Sequence, residues 1–114
     1  ENKLELLSRA HALVLPSVRE GWGLVITEAN ARGTTCIAFD VAGLRDSIDD
    51  QETGLLAKPG SVKDLAAKVG MVLEDKALRE RLSRNALDHS RGFSWEQCAQ
   101  SFLRVVEAVV RTRE

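Results

Sequence analysis

Two glutamates bracket a glycine-rich segment early in the chain: Glu20-Gly21-Trp22-Gly23, then Leu24-Val25-Ile26-Thr27-Glu28. The apolar stretch after Gly23 reads as a helix from Leu24 to Arg32, ended by Gly33, the residue type favoured just past a helix. Gly23 stands where Ser, Thr, Asp or Asn would ordinarily cap it, so the first N–H groups have no local side-chain acceptor. Free N–H groups and the positive end of the helix dipole together attract an anion, and a diphosphate is a natural occupant. Gly21 and Gly23 allow its close approach, although the same pair also fits a plain structural turn. Glu20, just before the loop, reaches a group beside the phosphates or is simply a surface acid. Glu28 lies about one turn into the helix, at roughly 1.5 Å per residue, among Leu24, Val25, Ile26 and Ala29. If buried there it needs hydrogen-bond donors, and the two hydroxyls of a ribose suit it; on an exposed face it is an ordinary helical acid. Trp22 reads as a pocket wall or as a hydrophobic plug.

The elements that must position these residues alternate between helix and strand. Leu4, Leu7 and Ala10 recur at helical spacing, predicting a helix over about Lys3 to Arg9. His11 to Leu15 is a buried strand closed by Pro16-Ser17. Thr35 to Val41 is a second continuous apolar run, and strand, helix and strand together have the size of a parallel βαβ unit. A short helix near Leu44 to Ile48 and a third strand at Leu55 to Ala57 follow. Ser61 caps a helix with Leu65, Val69, Val72 and Leu73 on its core face. Asp75 caps another with Leu78, Leu82 and Ala86 inward. Ser94-Trp-Glu-Gln97 is a capping box opening a long last helix marked by Trp95, Ala99, Phe102, Val106 and Val109. The pattern predicts an α/β layer fold with a parallel sheet. About three strands is short of the usual five or six, so the remaining strands are expected before Glu1 or from another chain.

Composition narrows the function classes. With 44% hydrophobic and 29% charged residues in 114, the chain can bury the core of one small domain. The net charge of -1 and the absence of a basic stripe with interleaved aromatics exclude nucleic acid as the expected partner. Arg79, Arg81, Arg84 and Arg91, interspersed with acids, read as a solvated helix face. His11 and His89 lack ligand-type spacing, so no metal site is expected. Cys36 sits in an apolar run and reads as a small buried hydrophobe; Cys98 is far from it and forms no CxxC. No apolar stretch approaches the roughly 20 residues of a membrane span, and no signal peptide is visible, so a cytoplasmic setting is expected. The start at Glu1, without Met and close to a helix feeding a strand, suggests a fragment.

Glu20-Gly-Trp-Gly-Leu-Val-Ile-Thr-Glu28 is similar to the Glu-x7-Glu motif of retaining GT-B glycosyltransferases of the family-4 type (glycosyl transferases group 1). Neighbouring pieces match in order: Val14-Leu-Pro-Ser17, Glu28-Ala-Asn-Ala-Arg-Gly33, Ile37-Ala38, Ala42-Gly-Leu-Arg-Asp46, Thr53-Gly-Leu-Leu56, Lys58-Pro-Gly60 and Phe93-Ser-Trp-Glu96. The resemblance covers nearly the whole chain. It implies a partial Rossmann-like fold, with residues 1–114 forming the C-terminal part of the nucleotide-sugar-binding domain. Glu28 would then accept hydrogen bonds from the ribose hydroxyls. Backbone N–H groups from Gly21 through Val25, beside Trp22, Gly23 and Leu24, would hold the diphosphate and the sugar. Glu20, the catalytic residue the motif implies, would contact the donor sugar near its reacting carbon, either supporting the transition state or positioning the sugar. The implied reaction moves a glycosyl group from a nucleotide sugar to an acceptor hydroxyl on a glycan, lipid or small molecule, retaining anomeric configuration, with no metal or other cofactor.

The chain departs from that pattern in places. Trp22 stands where Phe is frequent, Thr35 where Pro is common, and Ala42-Gly43 replaces a Gly-Gly pair. The family's Arg and Lys that neutralise the diphosphate, its base-contacting turns and its acceptor-binding N-terminal domain all lie upstream of these residues. The chain alone is therefore expected to be inactive, with apolar surface left at Val105, Val106, Val109 and Val110 for the missing half or a second copy. A standalone, non-catalytic α/β binding or assembly module fits the same residues. A receiver-like domain would need an acidic cluster at the strand ends, which Asp40 alone does not supply.

Overall fold

The apolar runs become three strands, β1 (Leu13–Leu15), β2 (Cys36–Phe39) and β3 (Gly54–Ala57). Between and after them lie helices α1 (Lys3–Arg9), α2 (Leu24–Ala31), α3 (Leu44–Ser47), α4 (Val62–Glu74), α5 (Lys76–Arg91) and α6 (Trp95–Arg113). The structure, a computed structural model, describes residues 3–17, 23–91 and 95–113, with side chains over 3–17, 23–91 and 99–112. All three strands run parallel in the order β1-β2-β3. Leu13 pairs with Cys36, and Cys36 in turn with Gly54. The strands are shorter than the apolar runs that announce them. Thr35 already lies outside the ladder, and beyond Phe39 the Val41 N–H turns back onto the Phe39 carbonyl at 2.9 Å.

Period-two alternation divides the core into two layers. Cys36 and Ala38 pack on one face of the sheet with Leu7, Ile26, Ala29, Leu44 and Ile48. Ile37 and Phe39 pack on the other with Leu55, Ala57, Leu65, Val72 and Leu82. Helices α1, α2 and α3 therefore cover one face, and α4 and α5 the other. Burial on both faces is why β2 reads as an unbroken apolar run. Fold class and topology agree with the α/β expectation.

Caps behave as the residue types dictate. Ser61 Oγ accepts from the Asp64 N–H at 3.1 Å, and Asp75 Oδ1 from the Leu78 N–H at 3.0 Å. The Ser94 capping box and Trp95 side chain lie outside the described residues. Leu73 is a correction: it is exposed, because one residue beyond buried Val72 is about 100° around the helix, off the stripe that faces the sheet. Leu4 is likewise exposed, while Leu7 alone of its helix is buried. Along α6, Phe102, Leu103, Val105, Val106, Val109 and Val110 are all exposed.

Two buried threonines tie together the amino end of the sheet, opposite the end at which α2 begins. The Thr34 hydroxyl donates to the Leu7 carbonyl, and the Thr35 hydroxyl to the Thr53 carbonyl at 3.0 Å. A proline at position 35 could not make the second bond. At Gly54 a Cβ would stand 2.2 Å from the Cys36 carbonyl oxygen, so this position has no room for any side chain.

Candidate functional site

In open parallel sheets, ligands bind beyond the carboxyl ends of the strands. Here β1 leads toward Gly23 and α2. Gly23 adopts φ 77 and ψ 67, the left-handed region, and brings no side-chain cap to α2. The Gly23 carbonyl accepts from the Ile26 N–H at 2.9 Å. A Cβ on Gly23 would come within 3.0 Å of Leu44 Cδ2 and 3.1 Å of Ile26 Cδ1. The start of α3 is thus pressed against the start of α2, and both open on the same end of the sheet. Leu24 is exposed, Val25 half-buried and Ile26 buried, so the first turn of α2 has one face toward solvent and one in the core.

Glu28 lies on the lateral face of α2, and its side chain is 32% exposed. Lys3 Nζ of α1 stands 3.2 Å from its Oε1 and 3.1 Å from its Oε2. Leu24, Thr27, Glu28, Ala31 and Arg32 of α2 and Leu4 of α1 line a groove of about 370 Å³. Glu28 is therefore neither a buried acid among apolar residues nor a plain solvent-facing one: it is half-buried, ion-paired and on a groove wall. The structure brings Gly23, Leu24, Val25 and Glu28 together on one element. Glu20, Gly21 and Trp22 lie outside the described residues.

Lys3 and Leu4 were missed by sequence reasoning. No local signal pairs them with α2, because among the described residues α1 follows no strand and so is not a crossover of fixed hand. Asp40 has acidic neighbours on the same groove that the sequence reading did not name. Asp40, Asp46, Asp49 and Asp50 share a groove of about 510 Å³ with Arg45, Ile48, Leu56 and His89. Two of these acids are already committed. Asp40 Oδ1 accepts from Arg45 Nε at 2.7 Å, and Asp50 Oδ1 from the Leu56 N–H at 2.9 Å. The hydrogen bond to Asp40, and then its charge, hold the Arg45 guanidinium above its ordinary pKa.

Cys36 is fully buried; its thiol faces Asn30 Oδ1 at 3.8 Å, and loss of solvent pushes its pKa up to about 12. That is an inert core thiol and not a nucleophile. Among the described residues no three His, Cys, Asp or Glu side chains are placed to hold a metal ion, and no helix is long and apolar enough to cross a membrane.

The family model described as Glycosyl transferases group 1 matches residues 1–89. D-inositol 3-phosphate glycosyltransferase of Nocardia farcinica is 34% identical over 110 residues, covering 96% of this chain and 24% of that protein. Glycogen synthase of Mycobacterium tuberculosis is 38% identical over 109 residues, covering 95% of this chain and 26% of its own length. Among solved structures, sucrose-phosphate synthase from Thermosynechococcus elongatus superposes with a TM-score of 0.86 at 34% identity, over 93% of this chain and 27% of that one. The chain thus spans about a quarter of the length of the proteins it matches.

Proposed function

The chain belongs to the glycosyl transferases group 1 family and has the GT-B architecture of its structural neighbours, and from that premise we propose that it forms the donor-binding portion of a nucleotide-sugar glycosyltransferase. The observation that carries the proposal is the uncapped amino end of α2 at Gly23, with Glu28 one turn further on the same helix. The N–H groups from Gly21 through Val25 take the diphosphate of the donor. Glu28 accepts from the ribose hydroxyls, and Glu20 contacts the transferred sugar. As the glycosidic bond breaks, the sugar becomes cation-like and negative charge grows on the diphosphate. Fixed N–H dipoles aimed at that charge stabilise the transition state more than the ground state. Basic side chains from elsewhere in the protein complete the neutralisation, and transfer to the acceptor hydroxyl retains anomeric configuration.

The acceptor is read outside this chain. The three similar proteins are named for different acceptors or products, yet they match it at 34% to 38% identity. A surface that chose the acceptor would not be held in common among them. The apolar stripe of α6 is covered by the rest of the protein or by a second copy.

Titration of UDP, GDP and ADP, and of the corresponding sugars, into the full-length protein tests the assignment. Glu28→Ala is expected to weaken nucleotide binding by about 10- to 100-fold, the loss of hydrogen bonds to a charged group. Glu20→Ala is expected to leave nucleotide binding near wild type and to lower the rate of transfer. Both variants matching wild type in binding and turnover would overturn the site.

A further inference from the structure

We infer that Lys3 is a positioning residue for Glu28, holding its carboxylate in the orientation that accepts a ribose. The inference rests on the reading of Glu28 given above and names a partner that the Glu-x7-Glu pattern does not contain. Lys3 and Glu28 are 25 residues apart and sit on different helices. Their pairing is therefore set by the packing of α1 on α2, and not by helical i,i+4 proximity. The ammonium lies almost midway between the two oxygens, at 3.2 and 3.1 Å. An ionised carboxylate offers about four lone-pair sites. One cation shared by both oxygens occupies a site on each and leaves a site on each open to a hydroxyl donor.

The surroundings fit that use. The groove beside the carboxylate has an apolar lining from Leu4, Leu24 and Ala31, and polar groups from Thr27 and Arg32. A glutamate on such a wall has several rotamers open to it, and freezing one ahead of binding removes that cost from the binding step. Lys3 itself is 63% exposed, and a pair so open to water contributes little to folding. Its effect should appear in recognition of the sugar hydroxyls and not in stability.

The test compares each of UDP, GDP and ADP with its 2′-deoxy counterpart by calorimetry on the full-length protein. Lys3→Met should lower affinity for the ribonucleotide by about 2- to 5-fold, the most that the orienting energy of an exposed ion pair can supply. It should lower affinity for the deoxynucleotide, which keeps one of the two hydroxyls, by less, and leave the melting temperature within a degree or so. Lys3→Arg should restore the preference for the ribose. An unchanged ribo-to-deoxy ratio in Lys3→Met would overturn the inference, as would an equal loss for both nucleotides. Tighter ribonucleotide binding would overturn it too, since Lys3 would then be competing with the sugar for the carboxylate. Glu28→Gln separates the two levels. If it abolishes discrimination while Lys3→Met keeps it, the lysine role alone fails; if it too discriminates like wild type, the ribose reading beneath it fails.

Discussion

Replacing Gly23 by alanine tests the geometry of the proposed anion site through folding energy. Two costs arise from one added methyl group. An L-residue in the left-handed region costs about 1–2 kcal/mol, and Gly23 sits there at φ 77. The new Cβ would also lie 3.0 Å from Leu44 Cδ2 and 3.1 Å from Ile26 Cδ1, nearer than ordinary van der Waals contact. Neither neighbour can swing into solvent, because Leu44 is 0% and Ile26 1% exposed. Crowding of this kind in a packed core costs about 1–3 kcal/mol. Gly23→Ala should therefore destabilise the fold by about 2–5 kcal/mol.

Urea unfolding would read that loss as a fall in midpoint at constant slope. A double-mutant cycle isolates the packing part. Leu44→Val shortens the side chain that the new methyl meets, so Gly23→Ala should cost less in that background, by roughly 0.5–3 kcal/mol. The backbone part should survive in both backgrounds. A Gly23→Ala protein within about 0.5 kcal/mol of wild type, or strict additivity with Leu44→Val, would refute the claim that α2 and α3 meet at this glycine.

Two further outcomes follow from burial. The Cys36 thiol, raised to about 12 from an ordinary 9.0, favours the protonated form in the folded protein. The native state therefore holds the proton that the unfolded chain loses, so this contribution to stability is complete below pH 9.0 and is lost as pH rises toward 12. Unfolding in urea at stepped alkaline pH should show wild type losing stability relative to Cys36→Ala at about 1.4 kcal/mol per pH unit; parallel curves would contradict it. Separately, residues 1–114 expressed alone should bind a dye specific for exposed hydrophobes, or self-associate, through Phe102, Val105, Val106, Val109 and Val110. A monomer in sedimentation with no dye binding would show that α6 finds cover within this chain.

Much of the fold was legible because its signals were local. Continuous apolar runs gave the parallel strands, and Ser61 and Asp75 gave two helix starts that the structure reproduces to the capping bond. Leu73 was misread because it adjoins Val72, and adjacency in sequence is not adjacency on a helix face. Gly23 was legible as the missing cap, but its contact with Leu44 joins two helices 21 positions apart, which no local pattern encodes. Lys3 escaped for the same reason. Its charge carries no information until α1 is laid against α2. Thr35, which looked like a costless replacement of proline, makes a hydrogen bond to the turn before β3 that becomes visible only in three dimensions.

The position of the motif's second acid follows from the phase of α2. Ile26, Ala29 and Asn30 point into the protein, while Leu24, Thr27, Glu28 and Ala31 line the groove. Moving the second acid one residue later would turn it by about 100°, onto the position that Ala29 fills with no exposed surface. Moving it two residues earlier would bury it at Ile26, under the first turn and against Leu44 of the core. An unpaired carboxylate in either place is strongly disfavoured. In the proposed donor site the helix would offer its axis to one ligand group, through the N–H groups of its first turn, and one lateral strip to another, through Glu28. A ligand with an anion and a hydroxyl-bearing ring in fixed relation can meet both only if the acid stays on that strip.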